Sequence, residues 1–315
     1  MLKGRVFITG GTGTIGTAII NRAERENWPC EFTVYSRDES KQSKMKASYP
    51  KCQYRLGDIR DQDWMQIMMR GHDLVIHAAA YKQVPSAEVN SREAIETNVI
   101  GSRNVALAAV NSGVPKVIGI STDKAVSPIN LYGATKMAME RLFQEACHWG
   151  KTDFVLARYG NVIGSNGSVV PFFKNQSKTL GYLTVTSFEM TRFWLSVDQA
   201  IDVVIYAVNY TCDGHIVIPM CPSMKVFDVA LALSNGAYIK ETCVRAGEKI
   251  HECLINLYES QKSLFVRRDG SDLDYTIVAP ASYPDVDKDR HFEFTSDNNI
   301  DWLLPEQFLK LASES

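Results

Sequence analysis

The sequence predicts an α/β fold: a doubly wound parallel sheet followed by a smaller C-terminal lobe. Three observations predict it. Up to about Arg158, short β-branched runs alternate with longer stretches of helical periodicity, the pattern of a parallel sheet covered on both faces. A glycine-rich turn joins the first run to the first helical stretch. After Arg158 the alternation fails, and glycine and proline take over the punctuation. With 315 residues, 45% of them hydrophobic, the chain can bury a core of that size.

The first strand is Val6–Thr9, and Thr9-Gly10-Gly11-Thr12-Gly13-Thr14-Ile15-Gly16 leads from it into a helix starting near Ile15. Gly10 permits the tight turn, Gly13 lets backbone approach a pyrophosphate, and Gly16 allows close helix packing. The helix N-terminus offers N–H groups and positive dipole to phosphates, so Thr12, Thr14 and Ile15 join these glycines as candidate dinucleotide contacts of a Rossmann sheet. The second strand, Phe32–Ser36, ends at Tyr35-Ser36-Arg37 with Lys41 a helical turn later, where a cofactor lacking a 2′-phosphate is usually held by an acid. Arg37 offers a planar fork and Lys41 a point charge, which favours NADP over NAD; with Asp38 and Glu39 adjacent, a solvated charged face is the alternative.

After the third strand, Gln53–Leu56, comes Gly57-Asp58-Ile59, where the Asp58 carboxylate can accept from an adenine amino group or cap a helix. Leu74–His77 is the fourth strand, and the small Ala78, Ala79 and Ala80 beyond it permit close approach of a dinucleotide or of a helix. Ser91–Asn111 carries Ala94, Ile95, Val99, Val105, Ala106 and Ala109 at helical spacing. Val117–Ser121 and Phe154–Arg158 complete six strands. Gly160, Gly164, Asn166 and Gly167 then make a connection, and Pro171, Pro219 and Pro222 punctuate shorter elements. The expected organisation is a dinucleotide-binding domain over residues 1–160 and mainly a substrate lobe over 161–315, with the helix 197–209 packing back on the first.

A net charge of -2 with acids and bases interspersed leaves no basic stripe for a phosphate backbone, so nucleic acid is not an expected partner. The N-terminal apolar run is too short for a signal peptide, and no segment approaches the roughly 18 apolar residues of a membrane span. Seven scattered cysteines, never in a Cys-x-x-Cys pair, argue against a disulfide framework and against a zinc site, which points to a reduced, cytoplasmic protein without a metal.

Tyr132 and Lys136 stand four residues apart, on one face of a helix. A phenol with a pKa of about 10 is a poor base near neutrality. A nearby ammonium and a nicotinamide's positive charge both favour phenolate, making Tyr132 the candidate base for a substrate hydroxyl that Thr122, ending the fifth strand, can orient.

Tyr-x-x-x-Lys with the glycine fingerprint resembles the extended short-chain dehydrogenase/reductase superfamily. Further segments sharpen the likeness: Ser121-Thr122-Asp123-Lys124-Ala125, Pro128-Ile129-Asn130-Leu131-Tyr132-Gly133-Ala134-Thr135-Lys136, Arg158-Tyr159-Gly160-Asn161-Val162, Gly167-Ser168-Val169-Val170-Pro171 and Met190-Thr191-Arg192-Phe193-Trp194. Together they look like the inverting UDP-N-acetylglucosamine 4,6-dehydratases that begin pseudaminic acid synthesis, and their polysaccharide-biosynthesis relatives. The resemblance runs from Phe7 to about Glu252.

It implies a lyase acting on a UDP-sugar, with inversion at C5, and a homo-oligomer, dimeric or larger. Oxidation at C4 makes the C5 hydrogen acidic because it is then α to a ketone. Lys124 is the implied base that removes it, and Asp123 the implied acid for the departing C6 hydroxyl. An amine must first lose its proton, so the Lys124 pKa is expected to be depressed by burial or by a cation such as Lys82 or Lys136. For the nucleotide, the resemblance implies Arg192, Arg245 and Glu248, with Lys82, Asn161 and the backbone from Val169 to Pro171 lining the same cleft. Glu189 departs from the pattern, an acid where a neutral or basic residue is usual. Two other readings stay open: an epimerase of the same fold, against which Asp123-Lys124 argues, and a catalytically silent nucleotide-binding module, which loss of Tyr132, Lys136 or Lys124 would have favoured.

Overall fold

The structure is a computed structural model that describes residues 1–165, 167–267, 273–284 and 286–314; Asn166, expected in the connection, lies outside the described residues. Its frame is six parallel strands: β1 (Gly4–Thr9), β2 (Cys30–Ser36), β3 (Gln53–Leu56), β4 (Leu74–His77), β5 (Lys116–Ile120) and β6 (Asp153–Ala157). They are ordered β3-β2-β1-β4-β5-β6, so the chain begins in the middle of the sheet and winds outward in both directions. The order reverses between β1 and β4, which pair from Val6–Leu74 to Thr9–His77 and open a crevice beyond their C-terminal ends. Val6, Phe7, Ile8, Val75 and Ile76 are fully buried, because helices cover both faces and a central strand then needs no polar side.

The crossovers are α1 (Thr14–Arg25), α2 (Glu39–Ser48), α3 (Gln62–Met69), then α4 (Val84–Val89), α5 (Ser91–Ile95) and α6 (Gly101–Ser112), and α7 (Leu131–Ala146). The periodic stretch 91–111 is not one continuous α-helix. A π-helical turn, Glu96–Ile100, joins α5 to α6. Asn98 sits in that turn and spends its amide on Tyr81 and Thr135: Oδ1 accepts from the Tyr81 N–H (2.7 Å), and Nδ2 donates to the Tyr81 carbonyl (3.0 Å) and to Thr135 Oγ1 (3.0 Å). One extra residue per turn re-aims a side chain, which periodicity alone does not reveal.

Beyond β6 follow β7 (Asn161–Val162), α8 (Val169–Thr179), β8 (Tyr182–Val185), β9 (Thr191–Leu195), α9 (Val197–Tyr210), β10 (Ile216–Pro219), β11 (Ser223–Lys225), α10 (Val226–Leu233), β12 (Tyr238–Glu241), β13 (Cys253–Ile255), α11 (Leu257–Ser260), β14 (Ser263–Val266), β15 (Tyr275–Val278), β16 (Phe294–Thr295) and α12 (Pro305–Glu314). Three of these strands return to the main sheet: β10 parallel to β6, then β15 and β14 antiparallel, for nine strands in all. Four-residue apolar runs carry no mark of which sheet they join, so the sequence shows only the first six. Helix α9 starts with a capping box in which Ser196 and Gln199 satisfy each other's backbone N–H groups. It packs on α1, β5, β6 and β10. A second core, with Val170, Phe173, Leu183, Trp194, Met224 and Phe308, binds α8, β8, β9, α10 and α12 into the smaller lobe.

Two buried polar clusters brace the ends of the central strands. His77 accepts or donates to Thr9 Oγ1 (2.8 Å) and Ser102 Oγ (2.9 Å), tying β1 and β4 to α6, and burial pushes its pKa down to about 3, so the ring is neutral. Arg158, after β6, is 1% exposed and forks onto two carboxylates: Glu140 of α7 (2.9 and 2.7 Å) and Glu259 of α11 (2.9 and 2.7 Å). Ser121 Oγ donates to the same Glu140 (2.5 Å). The arginine thus pins the end of β6 to α7 and to α11, about a hundred residues further along the chain. Among the described residues no helix is long and apolar enough to cross a membrane.

Candidate functional site

A cleft of about 640 Å³ opens at the C-terminal ends of β1, β4 and β5. Its first wall is the turn after β1. Gly10 adopts φ +67°, and a Cβ there would come within 2.7 Å of the Ala79 backbone, so both the conformation and the close approach demand glycine. No side chain caps α1 at Gly13, and Thr14, Ile15 and Gly16 of its first turn line the cleft with Thr12. An uncapped helix end beside small residues suits a pyrophosphate. Ser36, Arg37, Lys41, Asp58, Ile59, Ala78, Ala79, Ala80 and Lys82 line the same cleft, so every residue expected at the cofactor is brought together.

The opposite wall carries the residues expected to transfer protons. After β5, Thr122 caps a 3-10 turn, Asp123–Ala125, and α7 begins at Leu131 under an Asn130 cap. Thr122, Lys124, Tyr132 and Lys136 line the cleft, and Asp123, fully buried, stands directly behind them. Thr122 Oγ1 donates to Asp123 Oδ1 (2.8 Å). Lys124 Nζ donates to the same oxygen (3.1 Å) and is 3.2 Å from Glu252 Oε1. Lys136 Nζ donates to the Ile120 carbonyl (2.5 Å) and contacts Met139 Sδ (2.9 Å).

This arrangement corrects the expected charge state of Lys124. Burial does work against the ammonium, but Asp123 and Glu252 outweigh it and hold the pKa above the ordinary lysine value. Burial raises the Asp123 carboxyl; Lys124 opposes and Glu252 adds to the rise, so Asp123 takes a proton more readily than a free aspartate. Burial would raise Glu252 too, but Lys124, Arg192 and Lys249 surround it and its pKa is lowered. Burial pushes the Tyr132 phenol up to about 12, and the cation that pulls it back is Lys124. Lys136 is pushed down to about 8 by burial, against the pull of Glu140.

Of the residues expected at the substrate, Lys82 and Asn161 line the cleft, whereas Val169, Pro171, Arg192, Arg245 and Glu248 do not. Burial lowers the Lys82 pKa, and its ammonium has no ion pair among the described residues. Arg192 is buried and donates to the carbonyls of Thr191 (2.7 Å), Lys249 (2.9 Å) and Ile250 (2.9 Å). Arg245 forms a 3.0 Å ion pair with Glu248, and Glu189 pairs with Lys225 at 3.5 Å. The segment from Arg245 to Lys249 is strapped to the approach to α7: Asn130 Nδ2 donates to the Gly247 carbonyl (2.7 Å) and Lys249 Nζ to the Val126 carbonyl (2.6 Å).

Sequence reasoning missed Glu252, Thr97, Tyr159 and Ser168. Thr97 Oγ1, Tyr159 OH, Asn161 Oδ1 and Ser168 Oγ, all on the cleft, are buried without a partner among the described residues, as are Asp123 Oδ2 and Glu252 Oε2. Buried polar atoms are nearly always bonded, so this concentration marks a place built for a polar ligand. The available signal was local: Tyr159 and Ser168 stand inside segments that carry the resemblance, and Glu252 ends it.

Residues 6–268 match the family described as polysaccharide biosynthesis protein. The chain is 40% identical to the UDP-N-acetylglucosamine 4,6-dehydratase (inverting) of Campylobacter jejuni, over 99% of this chain and 98% of that protein. It is also 40% identical to the UDP-glucose 4-epimerase of Rickettsia akari, over 86% of this chain and 84% of that one. Among solved structures, Pen from Bacillus thuringiensis superposes with a TM-score of 0.89 at 32% identity, covering 99% of this chain and 97% of its own. DesIV of Streptomyces venezuelae, a dTDP-glucose 4,6-dehydratase solved with NAD bound, shares the fold at a TM-score of 0.69 and 20% identity, covering 78% of this chain and 86% of its own.

The expectation of NADP is corrected on this finding: DesIV, which shares the fold, holds NAD rather than NADP. The physical reason is visible here. Arg37 lies 3.4 Å from Asp58 and 3.3 Å from Glu93, and Lys41 lies 3.5 Å from Asp38, so the cations that were to meet a 2′-phosphate already face carboxylates.

Proposed function

The chain belongs to the polysaccharide biosynthesis protein family, and from that premise we propose that it is an NAD-dependent UDP-N-acetylglucosamine 4,6-dehydratase that inverts C5. One observation carries the reading: Asp123 and Lys124, an acid and an amine bonded to each other at 3.1 Å, lie beside the tyrosine that starts the chemistry. C4 epimerisation needs only a group that moves the C4 hydroxyl proton. Loss of water from C5 and C6 needs a second base and an acid.

When bound, NAD supplies a hydride acceptor at C4 and a hydride donor at C6. Tyr132 takes the C4 hydroxyl proton, its phenolate favoured by the Lys124 charge, with Thr122 beside it to orient that hydroxyl. Transfer of one proton from Lys124 Nζ to Asp123 Oδ1 turns the ion pair into a neutral amine and a neutral acid together. The amine then removes the C5 proton and the acid protonates the leaving C6 hydroxyl, which restores the ion pair; C5 regains a proton, exchangeable with solvent, as C6 becomes a methyl. Lys82, uncompensated in the cleft, meets a phosphate, and Asn161 Oδ1 and Ser168 Oγ receive sugar hydroxyls. Residues 1–160 hold the dinucleotide and those from 161 onward mainly the UDP-sugar. Seven free cysteines suit a reducing cytoplasm.

Incubation with UDP-N-acetylglucosamine and NAD in D₂O, followed by NMR, tests the reading. A new C6 methyl with deuterium at C5 is the expected product. A C4 epimer without a methyl overturns it and leaves the epimerase reading that the Rickettsia relative represents.

A further inference from the structure

Glu252 is a carboxylate that the mechanism above does not use, and it stands where that mechanism is most sensitive. It is 2% exposed, immediately before β13, and β13 packs on the 3-10 turn that carries Asp123 and Lys124. Its backbone is clamped at both ends by Ser296: the Glu252 N–H donates to Ser296 Oγ (2.9 Å), and the Ser296 N–H donates to the Glu252 carbonyl (2.8 Å). Oε1 lies 3.2 Å from Lys124 Nζ and 3.8 Å from Arg192 Nε, while Oε2 has no partner. Lys124 is therefore held between two buried carboxylates, one from its own turn and one delivered by a segment more than a hundred residues away.

We propose that Glu252 is the positioning residue of the dehydration step: it fixes the Lys124 amine and supplies the negative charge against which Asp123 keeps its proton. The proposal rests on the dehydratase reading and assigns a residue to it. The charged groups that face Glu252 are Lys124 from the turn after β5, Arg192 from β9 and Lys249 from its own loop; Asp123 faces it across Lys124. With three cations near it Glu252 stays ionised, and of the two acids Asp123 is the one that takes the proton. Burying an ionic group is costly even when it is paired, and a third charge retained beside the acid–amine pair calls for a task.

The sign of the effect follows from the charge. Glu252→Gln removes a negative charge from both neighbours, so Lys124 releases its proton at lower pH and Asp123 does so too. Both limbs of the kcat–pH profile for methyl formation are expected to move toward acid by about 1 unit or more, the usual effect of a charge at this distance. Affinity for NAD, measured by fluorescence, is expected to be unchanged. Glu252→Asp, which keeps the charge on a shorter stem, is expected to lower kcat and leave both limbs where the wild type has them. If E252Q merely lowers the rate at every pH, or E252D shifts its limbs as E252Q does, the positioning role is overturned. If the wild type itself forms no methyl, it is the dehydratase reading that fails.

Discussion

Lys124 joins the two halves of the proposed chemistry: its charge acts on the Tyr132 phenol, and its ammonium is bonded to Asp123, the acid with which the proposal has it exchange a proton. Lys124→Ala is expected to bind NAD with unchanged affinity and to lose exchange of the C5 hydrogen in D₂O by about 10³-fold, within the range of a lost general base. Retained exchange would refute its part as the base. The acid, the amine and the phenol were all legible in the residues from Ser121 to Lys136, because they are local in sequence. Their protonation was not. The expected depression of Lys124 rested on burial or a neighbouring cation; burial does act that way, but the nearest charges are Asp123 and Glu252, and they outweigh it. Lys136 shows the same limit. Its amine is spent on Ile120 and Met139, and the cation acting on Tyr132 is the lysine eight positions before the tyrosine rather than the one four after it.

At the level of elements, the strand-to-helix turns make the site, and their shape depends on small residues. Gly133, in the first turn of α7, lies against the Asp123–Ala125 turn, and a Cβ there would lie 2.1 Å from the Lys124 carbonyl. Because that contact is with backbone, the turn itself must move. Gly133→Ala is expected to keep NAD affinity, read by fluorescence titration, and to lower methyl formation about 10²-fold, the scale of loss that follows an ångström of misplacement. The first six strands were legible because each is a short β-branched run ended by a turn signal. The π-helical turn at Glu96–Ile100 was not, since one inserted residue leaves the apolar pattern on both sides intact. Nor was the return of β10, β14 and β15 to the main sheet, because pairing across a hundred residues is chosen by packing rather than by any local preference.

For the whole molecule, the Arg158 fork ties together segments of the chain that lie far apart in sequence. It bonds Glu140 under the active site to Glu259 in the C-terminal third, with every partner buried. Arg158→Met would leave two carboxylates without a cation, and breaking such a pair costs about 3–5 kcal/mol. A fall of that size in the unfolding free energy is expected from urea titration followed by circular dichroism. The cofactor belongs to the same scale. Arg37 and Lys41 read as a phosphate site only while their partners in space are unknown, and the fold brings Asp58 and Glu93 to the first while Asp38 pairs with the second and caps its helix, which counts against a 2′-phosphate there. The sequence by itself determined the fold class, the dinucleotide turn and the identity of the proton-transfer groups, since all three are written in residues close together along the chain. Only the tertiary structure decided which charges face one another. Electrostatic interaction falls with distance in space and is blind to separation in sequence, so Glu252 reached Lys124, and Glu93 reached Arg37, by folding alone.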